Sequence, residues 1–255
     1  MAITIKNASE IEKMRRAGHV VSVCHQRVQA AIAPGVTTKE LDTLVRDVIG
    51  EFGATSNFYG HHGFPGYICA SVNDQIVHGI PGDRRLEDGD IISVDIGAIV
   101  DGFHGDSAWT YAVGETSAEA QRLLRDTEDA LYEGIAAAQP GHCIGAIGAA
   151  VEAAAQPLGY GIVEGYGGHG IGRQMWEEPH IPNLGKPDTG PRMRTGMTLA
   201  IEPMLNLGDK ATRVLDDNWT VVTADGSWSA HFEHTVVITD GEPEILTRRL
   251  AGVVE

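Results

Sequence analysis

DGDIISVDIGAIVDGFHGDSAWTYAVG, residues 88–114, consists of two apolar, strand-like runs joined at Asp101-Gly102. Asp-Gly between such runs marks a two-residue hairpin turn, because both turn positions need a positive φ. That turn pairs Val100 with Phe103 and sets Gly97 opposite Asp106. Asp95 then becomes a diagonal neighbour of Asp106 on the same face. A carboxylate inside an apolar strand is costly to bury alone, and here the register brings two to one spot. One residue more or less in the turn would send one of them to the opposite face.

The pattern recurs downstream. MTLAIEPML (197–205) carries Glu202 and SAHFEHTVVI (229–238) carries Glu233, again acids inside strand-like runs. Four inward carboxylates cannot all ionise together without cations between them. Adding an imidazole from one of the two His-Gly-Ile motifs, at His78 or at His169, gives a mixed oxygen and nitrogen set. Such a set suits two hydrolytic divalent metals better than a structural zinc.

The segments around these strands are also duplicated. From Ile11, apolar residues recur at Met14, Ala17, Val21, Cys24, Val28 and Ala31, the spacing of one helix face, and Pro34-Gly35 stops the run. Thr37 with Glu40 forms a capping box that opens a second helix, which ends at Gly53. A helical stretch from about Ser117, a stop at Pro140-Gly141 and another helix to about Leu158 repeat the plan. Pro34-Gly35 maps to Pro140-Gly141 at an offset of 106 residues, and Leu86 through Asp95 maps to Met193 through Glu202 at 107. The expected fold is α+β: duplicated helix-helix-strand units, roughly 11–113 and 117–238, around one curved, mainly antiparallel sheet. No Pro-, Gly- or Ser-rich linker divides the chain, so one catalytic domain over 1–255 is expected.

Composition narrows the classes. The chain has 255 residues, 42% hydrophobic and 21% charged, with a formal charge of −16. That charge repels phosphate backbones and anionic lipid, which excludes nucleic acid as a ligand and leaves only transient contact with ribosomes. Cys24, Cys69 and Cys143 have no zinc-knuckle or redox spacing, consistent with a reducing cytoplasm. No window is apolar enough for a membrane span or an export signal. A monomer is the default.

Six motifs, in order along nearly the whole chain, resemble bacterial type I methionine aminopeptidase. They are Asn73 to Pro81, Asp90 to Asp95, Asp101 to Asp106, Gly168 to Gly172, Gly196 to Pro203 and Phe232 to Thr235. The resemblance implies the pita-bread fold and two divalent metal ions (Mn, Fe, Co or Zn) held by Asp95, Asp106, His169, Glu202 and Glu233, with Asp106 and Glu233 bridging. It implies peptide and nascent-protein N-termini as substrates, with the free α-amine beside the metals. Glu202 then handles the proton, and His78 sits near the scissile nitrogen or shuttles protons. Without a long N-terminal extension or a large insertion between the His169 and Glu202 motifs, the chain resembles the short bacterial form.

Two departures stand out. The family usually writes a second histidine seven residues after the metal-binding one, and here that position is Trp176. An indole N–H donates one hydrogen bond but cannot become cationic. In the expected methionine pocket, Phe58 and His61 stand where a cysteine and a tyrosine are common, while Phe64, Cys69, Met175 and Trp219 fit a soft apolar pocket. The leading expectation is removal of N-terminal methionine before a small second residue. The alternatives are a paralogue of weakened or altered specificity and a largely inactive metal-containing binding homologue.

Overall fold

The structure, a computed structural model, describes residues 2–250. Helix α1 (Ala8–Ala31) begins three residues before the Ile11 suggested by apolar spacing, because polar Asn7 and Glu10 supply its start. The Asn7 side chain accepts the Ser9 and Glu10 N–H groups, and the Glu10 carboxylate takes the Asn7 N–H at 3.1 Å. This reciprocal cap satisfies donors that no helix can satisfy internally. Helix α2 (Thr38–Glu51) starts with the expected box, Thr37 with Glu40.

The hairpin has the anticipated register. Strands Ile91–Val100 and Phe103–Ala112 pair with Val100 opposite Phe103 and Gly97 opposite Asp106. Both turn residues have positive φ, +50° at Asp101 and +74° at Gly102, which is the twist-matched hairpin turn. Strand Ile68–Val72 pairs along the other edge of Ile91–Val100 and sets Cys69 directly opposite Asp95.

Helices α3 (Ala118–Ala137) and α4 (Gly145–Ala155) repeat α1 and α2 in the second half. The repetition extends to single hydrogen bonds. Gly35 N–H donates to the Leu86 carbonyl at 2.7 Å, and Gly141 N–H to that of Met193 at 2.9 Å. Arg85 Nη1 donates to the Gly35 carbonyl, and Arg192 Nη1 to that of Gly141, both at 2.7 Å. These pairs lie at the sequence offsets already noted, so the internal similarity reflects two equivalent units.

Among the described residues the strands are hydrogen bonded in four groups, with antiparallel ladders throughout. The first hairpin belongs to one group. Gly167–Gly170, Glu177–Pro182, Thr198–Ile201 and His234–Val237 belong to another. The hairpin is also joined directly to chain of the second half around Ser229–His231 and His234–Val237. The Glu233 N–H donates to the Ala108 carbonyl at 2.8 Å. The Thr110 hydroxyl accepts the His231 N–H and donates to the His231 carbonyl, both at 2.9 Å. Thr235 does the same to Asp106, at 3.0 and 2.8 Å. Two threonine side chains thus stand in for main-chain pairing where the halves meet.

Apolar residues of both halves share one buried cluster, including Val21 and Leu41 against Ile92 and Trp109, and Leu131 and Val151 with Leu199 and Leu205. Each such side chain contributes about 1.5–3 kcal/mol on burial, which offsets the cost of holding acids at the seam. No helix among the described residues is long and apolar enough to cross a membrane.

Candidate active site

The seam between the halves collects the acids. Asp95 and Asp106 come from the hairpin. Glu202 follows strand Thr198–Ile201, and Glu233 lies between Ser229–His231 and His234–Val237. Because His234 pairs with Ile201, the adjoining Glu233 and Glu202 leave the same end of that ladder. His169 enters from Gly167–Gly170, paired with Ala200. One ligating atom each from Asp106, His169 and Glu233 falls within 4.8 Å of the others.

These groups have the character of a cation cradle. Asp95 Oδ1, Asp106 Oδ1 and Glu233 Oε1 are buried with no hydrogen-bond partner in the protein, an arrangement too costly to keep without a counter-charge. Burial, reinforced by neighbouring carboxylates, pushes Asp106 and Glu233 well above the usual carboxylate range. Burial also raises Asp95, opposed by His231. Glu202 differs: burial works against its charge, but His231, His169 and His78 together hold it below its ordinary value. The His169 imidazole donates from Nδ1 to the Gly170 carbonyl at 2.9 Å, since a carbonyl only accepts. Its Nε2 lone pair is therefore directed to the site, 3.7 Å from Glu202 Oε1. Oxygen donors with one oriented imidazole fit hard or borderline divalent metals.

His231 was not anticipated. It is buried, its Nε2 lies 3.5 Å from Glu202 Oε2, and that nitrogen makes no hydrogen bond. A signal was present: in an extended chain, residue 231 shares a face with residue 233, so an imidazole two positions before Glu233 points the same way.

A cleft opens on these groups, and every metal-ligand and pocket residue expected from the sequence lines it. Phe58, Phe64, Cys69 and Met175 are buried in one apolar cluster, with Ile80 and Trp219 packed against it. Phe64 meets Phe58 edge-on at 6.5 Å and Trp219 at 5.1 Å. Cys69 joins the two regions, since it lies across the ladder from Asp95; burial and the nearby acids push its thiol well up. The apolar wall therefore begins where the carboxylates end.

The polar side of the cleft is formed by His78, His61 and Trp176. His78 takes a left-handed conformation, φ +60°, and its ring stands edge-on to Tyr166 at 6.2 Å. Burial lowers its pKa, opposed by Glu202. Trp176 lies at the mouth, 44% exposed, its ring edge-on to His61 at 4.8 Å and 6.3 Å from the His169 ring.

Comparison with known proteins gives the same answer. Residues 12–240 match the metallopeptidase family M24. The chain is 48% identical over 246 residues to methionine aminopeptidase 1 of Bacillus subtilis, covering 96% of this chain and 99% of that protein. It is 48% identical over 249 residues to methionine aminopeptidase 1 of Mycobacterium tuberculosis, covering 95% and 94%. The crystal structure of a methionine aminopeptidase from Thermotoga maritima superposes with a TM-score of 0.95 at 43% identity, over 97% of this chain and all of that one. The fold is the pita-bread fold. With paired half-folds, a seam of buried acids and relatives matched end to end, the chain belongs to the M24 metallopeptidases, in their methionine aminopeptidase branch.

Proposed function

We propose that the protein removes N-terminal methionine from peptides and nascent proteins whose second residue is small, acting as one catalytic unit with two divalent metal ions. Asp95, Asp106, His169, Glu202 and Glu233 would hold the metals. The observation that carries this reading is the set of three partnerless buried carboxylate oxygens facing the same cleft as a pocket of Phe58, Phe64, Cys69, Met175 and Trp219.

Divalent metals held there would supply Lewis-acid polarisation of the scissile carbonyl and a water whose pKa is lowered toward neutrality. The rest falls to the side chains. The apolar wall buries the thioether side chain and excludes water from it. The free α-amine would lie at the acid end of the cleft, beside the residues that hold the metals. Glu202, kept ionised by its three imidazoles, accepts a proton at a carboxylate oxygen. His78, beside Glu202, passes a proton toward the leaving amine.

The M24 relatives named methionine aminopeptidase favour this enzyme over an inactive binding homologue. Trp176 bears on rate and selectivity within that activity. The protein is proposed to work in the cytoplasm as a monomer, meeting ribosomes only transiently because of its charge of −16. Cosedimentation with ribosomes at physiological salt would contradict the transient part.

The test of the main reading is free methionine release from Met-Ala-Ser by protein loaded separately with Mn²⁺, Co²⁺ and Fe²⁺, beside Asp106→Ala. Release that disappears in Asp106→Ala supports it. Wild-type protein inert with every metal counts against the methionine assignment.

A further inference from the structure

Trp176 and Met175 sit on a short turn, and the structure holds that turn from an unexpected direction. Glu177, the next residue, folds its carboxylate back so that Oε1 accepts the Arg173 N–H at 2.8 Å and the Gln174 N–H at 3.3 Å. The other oxygen, Oε2, accepts from Lys6 Nζ at 2.6 Å and from the Thr4 hydroxyl. Both charged side chains of this pair are buried, with 5% and 9% of their surface exposed. Lys6 is itself fixed, because its N–H donates to the Gly196 carbonyl at 2.8 Å, just before strand Thr198–Ile201. A Cβ on Gly172 would fall 2.3 Å from Lys6 Cε, so the lysine stem lies directly across the start of the turn.

Neither Lys6 nor Glu177 lines the cleft. They touch instead the turn that carries Met175 and Trp176. A buried carboxylate that closes a turn on one side and meets a fixed ammonium on the other confines the turn more tightly than apolar contact, which tolerates sliding. We propose that Lys6 and Glu177 are positioning residues that set the pocket wall made by Met175 and Trp176, and through it the selection of the N-terminal side chain. The selectivity part rests on the methionine reading of the pocket.

The test compares wild type, Lys6→Met and Glu177→Gln as metal-loaded proteins. Steady-state kinetics are measured on Met-Ala-Ser and Leu-Ala-Ser, metal content by elemental analysis, and tryptophan emission with and without a Trp176→Phe background. The expected result is a KM for Met-Ala-Ser raised about tenfold, with kcat within about twofold, as loss of uniform binding requires. Metal content stays at the wild-type level. Emission shifts in Lys6→Met and in Glu177→Gln, and that shift vanishes when Trp176 is phenylalanine. Unchanged KM and emission overturn the proposal, as does a parallel loss of metal and kcat, which marks general loosening of the fold. If Lys6→Met does not fold, Glu177→Gln decides by the same readouts; if neither folds, the pair is a requirement for folding and the selectivity claim falls. Wild-type protein that releases no methionine overturns the underlying pocket reading instead, and the emission arm still reports separately on the positioning.

Discussion

The Thr235 hydroxyl accepts the Asp106 N–H at 3.0 Å and donates to the Asp106 carbonyl at 2.8 Å. One side chain of the second half therefore clamps the backbone of an acid in the first. Thr235→Val keeps the shape and removes both bonds. Each is worth about 1 kcal/mol, so a loss of about 2 kcal/mol is expected. In a chain of this size that lowers Tm by about 4–8 °C. Thr235→Ser, which retains the hydroxyl, should recover most of it. Thermal melts of the three proteins check this, and titration with Mn²⁺ should show weaker binding in the valine variant.

Crowded carboxylates should make the order of stability of wild type and an acid-deleted variant reverse when metal is added. Metal at about a thousand times its Kd stabilises the native state by about 4 kcal/mol. Asp106→Asn removes one of the clustered charges at constant size. Stripped of metal, this variant should melt above wild type; loaded, it should melt below and release no methionine. Calorimetric scans with excess chelator and with Mn²⁺ measure both, and the same melting order in both conditions would sink the idea.

Trp176 stands at the cleft mouth near His169, where the resemblance leads one to expect a histidine. Loss of one preorganised donor to a developing oxyanion costs about 10²–10³ in kcat. Trp176→His should therefore raise kcat on Met-Ala-Ser by at least about tenfold. Stopped-time assays at saturating peptide test this, and an unchanged kcat would mean that another group supplies the donor.

Phe58 is buried at the apolar wall and packs edge-on to Phe64. Phe58→Ala opens the wall at a cost of about 3–5 kcal/mol. Competition between peptides starting with Met and with bulkier residues should show the ratio of kcat/KM moving toward the bulkier ones. Urea unfolding measures the cost.

His25 gives a pH signature away from the metals. Its Nε2–H donates to the Ser107 carbonyl at 2.9 Å, and the Tyr111 hydroxyl meets Nδ1 at 2.8 Å. Burial pushes its pKa down to about 3. Above the unfolded value of about 6.5, both states are neutral and pH has no effect through this group. Below it, the unfolded chain binds a proton that the native state refuses, so stability falls with pH until about 3. Between pH 7 and 5 this amounts to about 2 kcal/mol. Urea midpoints across that range should fall less steeply for His25→Gln than for wild type.

Much of this was legible in the chain. The hairpin at Asp101-Gly102 could be read because its register depends only on turn length and the alternation of a strand. The repeated helix-turn and strand motifs were legible because capping and glycine turns act over a few residues, as at Thr37 and at Gly35 and Gly141. Asn7 carried an equally local signal that apolar spacing alone passes over.

By itself, the sequence singled out the acids that share the cleft, since an acid buried in a strand is costly without a partner or a cation. It also determined the local register that sets Gly97 opposite Asp106 and so brings Asp95 and Asp106 together as diagonal neighbours on one face. Only the tertiary structure decided how the halves meet, through Thr110 and Thr235, that His231 faces Glu202, and that Lys6 reaches across to Glu177. Those contacts join residues far apart in the chain, and their geometry is fixed by packing two helix-backed units against each other, which no spacing along one strand encodes.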